Sequence, residues 1–188
     1  MIVNIRGTHG SGKSTVVKKI LDRYGFEAES YIEKRGGKRP ANYIVQLPGV
    51  LRPLYIIGCY ETSCGGCDGI QPYSEIWPRI VSFANRGHVL LEGALVSSSY
   101  GNIGRASECY GDDFVFAFMD TPLKKCIRQI EQRRAANGNT KPLNPDNTIK
   151  KHEAVARSID KIRNEFKRKV VIINHKKAVS QVVGLFHG

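Results

Sequence analysis

Residues 7–14 read Gly-Thr-His-Gly-Ser-Gly-Lys-Ser, which matches the phosphate-binding pattern G-x-x-x-x-G-K-[ST] at every fixed position. The flanking sequence fits the pattern, because the apolar run 1–5 predicts a buried strand and the apolar spacing within 14–24 predicts a helix. In a strand–loop–helix arrangement, backbone N–H groups and the positive end of the helix dipole hold an anion. We therefore predict a site for a nucleoside triphosphate with Mg²⁺.

The roles of the loop residues follow from this chemistry. Lys13 is expected to reach the β- and γ-phosphates, and the Ser14 hydroxyl is expected to ligate Mg²⁺. With ATP as the nucleotide, the predicted binding residues are Gly7, Thr8, His9, Gly10, Ser11, Gly12, Lys13, Ser14 and Thr15.

A second chemical feature is the segment 88–93, His-Val-Leu-Leu-Glu-Gly, which predicts a buried strand ending in a carboxylate. In proteins with this phosphate loop, an acidic residue at the carboxyl end of a neighbouring strand either holds the Mg²⁺ shell or positions the attacking hydroxyl. Glu92 is placed for such a role, although an acid after an apolar strand can also be a turn residue.

Length and composition indicate one α/β domain over residues 1–188, with 41% hydrophobic residues and no break in composition. The sequence contains no apolar run long enough to cross a bilayer, and the apolar N-terminus is too short for a signal peptide. We expect a cytosolic protein without membrane partners, which for a virus-encoded protein means the host cytosol.

Five cysteines, an odd number, fit a reducing compartment. Cys64 and Cys67 form one C-x-x-C pair, whereas a structural zinc site requires four ligands. The other cysteines and His88 do not supply a second pair, so a tight glycine turn with two packed thiols is favoured, with zinc as the alternative.

Charge is distributed unevenly along the chain. The net charge is +12, and residues 119–188 hold 16 Lys and Arg against 6 Asp and Glu. This asymmetry indicates either a basic surface for a polyanion such as nucleic acid or a lysine-rich solvated helix face.

The remaining pattern predicts three extended segments at 26–32, 43–47 and 54–60, more than one βαβ unit uses, so part of this region is expected to form a β-hairpin insertion. Helices are expected over 74–86, from Thr121 and Pro122 onwards, over 148–166 and over 178–186, with strands at 114–119 and 170–173. The helix after Pro122 carries Arg128, Arg133 and Arg134.

Together, the phosphate loop, the strand ending in Glu92 and this arginine-bearing helix–loop–helix segment resemble the small P-loop kinases of the nucleoside monophosphate kinase type. The resemblance implies that residues 121–168, approximately, form a lid whose Arg128, Arg133 and Arg134 close over the phosphates. Positive charge over the transferring oxygens and exclusion of water are what phosphoryl transfer requires.

More narrowly, segments 58–70 and 87–93 resemble a group of bacteriophage kinases, some of which phosphorylate 5-hydroxymethyldeoxyuridine in DNA. The basic C-terminal third suits a DNA-directed enzyme. With a hydroxyl acceptor, Asp68 becomes a candidate to orient the hydroxyl or take its proton, although a structural Asx turn explains the residue equally well.

The sequence thus predicts a P-loop NTPase fold with three α/β/α layers, a mostly parallel sheet, a β-hairpin insertion and a helical lid. The predicted activity is ATP-dependent phosphoryl transfer, with Lys13, Glu92, Asp68 and the three lid arginines as catalytic residues and either Glu92 or Asp68 as the base. The expected acceptor is 5-hydroxymethyldeoxyuridine in phage DNA. The alternatives are a kinase of free deoxynucleoside monophosphates and a DNA-associated ATPase.

Overall fold

A computed structural model describes residues 1–32, 38–61, 65–70, 72–93, 97, 107–139 and 141–188, with the backbone alone at 29–32 and 38–41. Cys64 and residues 33–37 of the predicted hairpin insertion lie outside the described residues. No helix within the described ranges is long and apolar enough to span a membrane.

The described strands form one seven-stranded sheet with the order β2-β3-β4-β5-β1-β6-β7. Their bounds are Ile2–Arg6 (β1), Glu27–Ile32 (β2), Lys38–Val45 (β3), Leu54–Ile57 (β4), His88–Glu92 (β5), Phe114–Met119 (β6) and Val170–Ile173 (β7). Strands β4, β5, β1, β6 and β7 are mutually parallel, whereas β2 and β3 form an antiparallel hairpin that extends the sheet beyond β4. The predicted hairpin insertion and mostly parallel sheet are confirmed.

Helices cover both faces of this sheet. Their bounds are Lys13–Tyr24 (α1), Ile76–Ala84 (α2), Leu123–Ala136 (α3), Asp146–Asp160 (α4, continued by a π-helical turn Lys161–Glu165) and Ala178–Gly184 (α5). Short 3₁₀ turns at Cys67–Gly69 and Tyr73–Glu75 precede α2. The helix predicted from residue 74 therefore begins at Ile76, after a 3₁₀ turn that contains Ser74, and α3 begins at Leu123, after Pro122.

Strand alternation divides the core into two layers. On β6, Val115 and Ala117 face the cluster that contains residues of α1 and α5, whereas the three phenylalanines 114, 116 and 118 face the cluster that contains residues of α2 and α4. Burying each phenylalanine contributes roughly 1.5–3 kcal/mol. Both faces of the parallel strands are apolar because both are covered by helices, and the predicted three-layer architecture is confirmed.

Candidate functional site

The phosphate loop joins β1 to α1 at the edge of the sheet where the parallel strands end. Helix α1 begins at Lys13, so its positive end lies at the loop. Gly10 has φ +73°, and a β-carbon there would lie 2.9 Å from Ile130 Cγ1 on α3. The glycine therefore allows the loop to approach α3 closely.

Glu92 and Ser14 meet beside this loop. Strands β1 and β5 are parallel neighbours, with Ile5 opposite Glu92 in the register. The Ser14 hydroxyl donates a 2.8 Å hydrogen bond to Glu92 Oε1. A hydroxyl and a carboxylate at this separation form the oxygen-rich set that Mg²⁺ uses together with nucleotide phosphates, so the side chains present fit a magnesium site.

Burial dominates the electrostatics of Glu92, which is 1% exposed. Desolvation raises its pKa from 4.5 to about 7, against the opposing influences of the Lys13 charge and the Ser14 hydrogen bond. With a pKa of about 7, this carboxyl is partly protonated at neutral pH when no divalent cation is bound. A bound divalent cation would favour the ionised form.

Lys13 lies over the loop that precedes it. Its Nζ donates to the carbonyl oxygens of Gly7 at 2.9 Å and Thr8 at 3.1 Å. Burial lowers the pKa of the ammonium, while the charges of Glu92 and Asp68 oppose that change. The positive charge is therefore held inside the loop, where bound phosphates would neutralise it.

A cleft of about 400 Å³ opens over the loop and brings together most of the predicted residues. Its lining contains residues 9–15 of the loop, Glu92, Gly65 and Asp68 from the opposite side, and Gln129, Gln132 and Arg133 from α3. Partial burial and the charges of Lys13 and Lys151 lower the pKa of His9, so its imidazole is neutral at pH 7.

The three predicted lid arginines have different surroundings. Arg133 lines the cleft, Arg128 is exposed and is not part of the lining, and Arg134 donates to the Lys141 carbonyl at 3.0 Å. Helical spacing explains this separation, since Gln129, Gln132 and Arg133 share one face of α3 at i, i+3 and i+4. The i, i+3, i+4 pattern would have identified the two glutamines, which the sequence analysis missed.

The turn that carries Asp68 packs directly on Glu92. Gly66 has φ +93°, and a β-carbon there would lie 2.6 Å from the Glu92 carbonyl oxygen. Cys67 is fully buried, its thiol contacts the Ile57 carbonyl at 3.6 Å, and burial raises its pKa. Across the described part of the chain, His, Cys, Asp and Glu side chains form no group of three suited to a metal ion; Cys64, the other half of the C-x-x-C pair, is outside that part.

Two contacts attach the helical segment to the loop. Thr121 Oγ1, at the predicted start of a helix, donates a hydrogen bond to the Ser11 carbonyl at 2.8 Å. His152 Nδ1 on α4 lies 3.0 Å from Thr8 Oγ1. Neither His152 nor its neighbour Lys151 was among the sequence candidates, because a lysine and a histidine in a basic helix resemble solvent-facing residues.

A second cleft of about 420 Å³ adjoins the first and shares Ser11, Gly12, Thr15 and Gln129 with it. It is bounded on the far side by residues 175–180, at the start of α5. The Ser11 hydroxyl is buried and has no hydrogen-bond partner within the described residues, which leaves it available to a ligand oxygen.

Comparison with curated proteins finds bacteriophage enzymes. The chain is 36% identical over 163 residues to the 5-hmdU DNA kinase of Pseudomonas phage PaMx11, covering 86% of this chain and 84% of that protein. It is 29% identical over 168 residues to the 5-hmdU DNA kinase of Pseudomonas phage M6, covering 85% and 83%. The enzyme of the same name from Delftia phage PhiW-14 is 28% identical over 179 residues, covering 85% and 63%.

Among solved structures, a gluconokinase from Sinorhizobium meliloti 1021 aligns with a TM-score of 0.50 at 12% identity, covering 98% of this chain and 90% of that one. No protein-family model matches the chain. These findings confirm the predicted P-loop kinase fold, the kinase class and the resemblance to phage kinases.

Proposed function

Because the chain belongs to the 5-hmdU DNA kinase family, we propose that it transfers the γ-phosphoryl group of ATP to the hydroxymethyl oxygen of 5-hydroxymethyldeoxyuridine in DNA. The observation that carries this proposal is the 2.8 Å contact between Ser14 and Glu92 in a cleft that Asp68 also lines. The phage origin of the relatives supports the host cytoplasm as the place of the reaction.

The donor nucleotide would lie along the two adjoining clefts. The loop amides, Lys13 and the Ser11 hydroxyl are available to the phosphates, and the second cleft has room for the nucleoside. A magnesium ion held at Ser14 and Glu92 would neutralise charge on the β- and γ-phosphate oxygens. Arg133 supplies a further cation from α3.

The two carboxylates take different roles. Glu92 is buried and bonded to Ser14, which suits it to the magnesium shell. Asp68 is half-buried and lines the cleft opposite the loop, so it is placed to receive an acceptor hydroxyl. We therefore assign the base role to Asp68 and not to Glu92.

In the transfer step, the acceptor oxygen forms a bond to the γ-phosphorus while the bond from that phosphorus to the β–γ bridging oxygen breaks. The electron pair of the broken bond leaves with ADP. The acceptor proton passes to the Asp68 carboxylate. The C5 hydroxymethyl group of a base-paired uracil projects into the major groove, so its hydroxyl can approach the protein from that groove or after the nucleotide leaves the stack.

Incubation with γ-labelled ATP and three acceptors tests the proposal: DNA containing 5-hydroxymethyluracil, unmodified DNA with 5′-hydroxyl ends, and free deoxynucleoside monophosphates. We expect label only in the first. Label confined to mononucleotides would establish the nucleotide-kinase alternative, and ATP hydrolysis without a labelled acceptor would establish the ATPase.

Substitutions separate the assigned roles. Lys13→Ala should abolish transfer, whereas Lys18→Ala on the same helix should leave it intact. Asp68→Asn should lower kcat without changing the Mg²⁺ concentration needed for half-maximal rate. Glu92→Gln should raise that Mg²⁺ concentration. An equal Mg²⁺ concentration at half-maximal rate in Asp68→Asn and Glu92→Gln would contradict the separate roles assigned to the two carboxylates.

A further inference from the structure

Helix α4 has an unusual inner face. Val155 of α4 and Ile162 of the π-helical turn that continues it are buried in the cluster that contains the β6 phenylalanines, and Ile159 packs against the same cluster. Lys151 is four residues before Val155, one turn closer to the N-terminus, and therefore lies on the same side of the helix. An amphipathic helix normally places an apolar residue at such a position.

The N-terminal half of α4 is held against the phosphate loop. His152 Nδ1 lies 3.0 Å from Thr8 Oγ1, and the Thr8 carbonyl accepts a hydrogen bond from Lys13 Nζ. Lys151 precedes His152 in the chain, so its Cα is about 3.8 Å from that of His152. The lysine backbone is thereby fixed beside the loop.

Lys151 is not part of the cleft lining, but it interacts electrostatically with three residues that are. Its charge acts on Lys13 and on His9, lowering the pKa of both, and the Asp68 carboxylate attracts it. Partial burial is the main cause that lowers the pKa of Lys151 itself. The two ammonium groups repel each other and share Asp68 as an anionic neighbour, so these three groups keep a net positive charge that an anionic ligand can neutralise.

We propose that Lys151 is a catalytic residue that binds the γ-phosphoryl group during transfer, and that the Thr8–His152 contact positions it. This inference rests on the proposed kinase function. Phosphoryl transfer spreads negative charge over the equatorial oxygens, so a second ammonium opposite Lys13 stabilises the transition state. Lys151 stays protonated throughout, while the acceptor proton goes to Asp68.

The test compares Lys151→Ala with Lys150→Ala, an adjacent exposed lysine on the same helix, using MgATP and DNA containing 5-hydroxymethyluracil. Loss of one preorganised charge contact at a transition state lowers kcat about 100-fold. We expect that loss in Lys151→Ala, a partial return of kcat in Lys151→Arg, and an unchanged kcat in Lys150→Ala. If the wild-type enzyme phosphorylates the DNA and Lys151→Ala keeps kcat within about three-fold, the proposal is overturned.

Two readouts separate this role from a structural one. Lys151→Met should raise or maintain the Tm of the nucleotide-free protein, because an apolar side chain suits the inner face. The same variant should bind MgADP as the wild type does but lose the additional affinity for MgADP with aluminium fluoride, a mimic of the transferring phosphoryl group. A variant with a lowered Tm that still binds the mimic normally would show that Lys151 only supports the fold.

His152 is a positioning residue, because its contact with Thr8 is proposed to place Lys151. Thr8→Val removes the contact to His152 Nδ1 while keeping the volume of the side chain. We expect Thr8→Val to lower kcat in the wild-type background and to have little further effect in Lys151→Ala, since both changes then act through one group. Fully additive losses would assign Thr8 a role independent of Lys151.

Discussion

Glu92→Gln should remove a pH-dependent loss of stability that the nucleotide-free protein shows between pH 5 and pH 8. The Glu92 carboxyl has a pKa of 4.5 when exposed and about 7 in the fold, chiefly because it is buried. A raised folded-state pKa means that the native protein keeps a proton that the unfolded chain has released. The resulting stabilisation is complete below about pH 4.5 and is lost as the pH rises through about 7.

Integrated between pH 5 and pH 8, this titration removes about 2–3 kcal/mol of stability. For a chain of this length, that corresponds to a Tm decrease of roughly 5–10 °C. Gln has the shape of the protonated carboxyl and does not titrate, so the variant should lose none of this contribution. The free energy of unfolding of Glu92→Gln relative to that of the wild type should therefore be higher at pH 8 than at pH 5.

Urea unfolding of both proteins at a series of pH values, without nucleotide or Mg²⁺, measures the effect. Glu75→Gln, at an exposed carboxyl before α2, is the matched control and should follow the wild-type pH dependence. Parallel stability curves for the wild type and Glu92→Gln would refute the link between burial and the proton. As an independent check, MgATP binding at pH 6 should release close to one proton more from the wild type than from Glu92→Gln, measured calorimetrically in buffers of different ionisation enthalpy.

Three further substitutions or conditions test the surroundings of the site. Gly66→Ala should destabilise the protein by more than about 2 kcal/mol and impair transfer, because its β-carbon meets the Glu92 carbonyl. The control Gly138→Ala, in open space at φ +74°, should cost only about 1 kcal/mol. Equal unfolding midpoints of the two variants would contradict the clash. Thr121→Val should lower stability by about 1 kcal/mol and weaken ATP binding through loss of the bond to the Ser11 carbonyl, and unchanged nucleotide titrations would show that the bond does not shape the loop. KM for DNA should rise steeply between about 50 and 200 mM salt while KM for ATP changes little, since contacts to DNA phosphates release counterions. A KM for DNA that does not depend on salt would argue against a role of the basic C-terminal third in binding DNA.

The parts of the fold that were predictable depend on local signals. The glycine–lysine loop identifies its own strand and helix, and the uninterrupted apolar run of β6 predicts a strand buried on both faces. Glu92 was found because an acid at the end of a buried parallel strand must emerge at the edge where the loop lies. The register between Ile5 and Glu92 places it there.

The parts that were not predictable depend on tertiary neighbours. The helix after Pro122 contains three arginines that the sequence does not distinguish, and only the packing of α3 beside the phosphate loop shows that Arg133 lines the cleft. Lys151 resembles the solvent-facing lysines of its own helix, because an amphipathic pattern assigns charges outward by default. Recognising a lysine on the inner face requires knowing which anions surround it.

The charges around the cleft suggest why these groups are arranged together. Lys13, Arg133 and Lys151 contribute three positive charges, and Asp68 contributes one negative charge, while burial favours a protonated, neutral Glu92. The nucleotide-free cleft therefore carries excess positive charge, which opposes folding but favours the phosphates of ATP. If magnesium arrives with the nucleotide, ionisation of Glu92 would supply a negative ligand at the moment the cation needs one. The raised pKa of Glu92 and the half-buried Lys151 then have one common explanation, in which the protein holds unfavourable charge that bound MgATP neutralises.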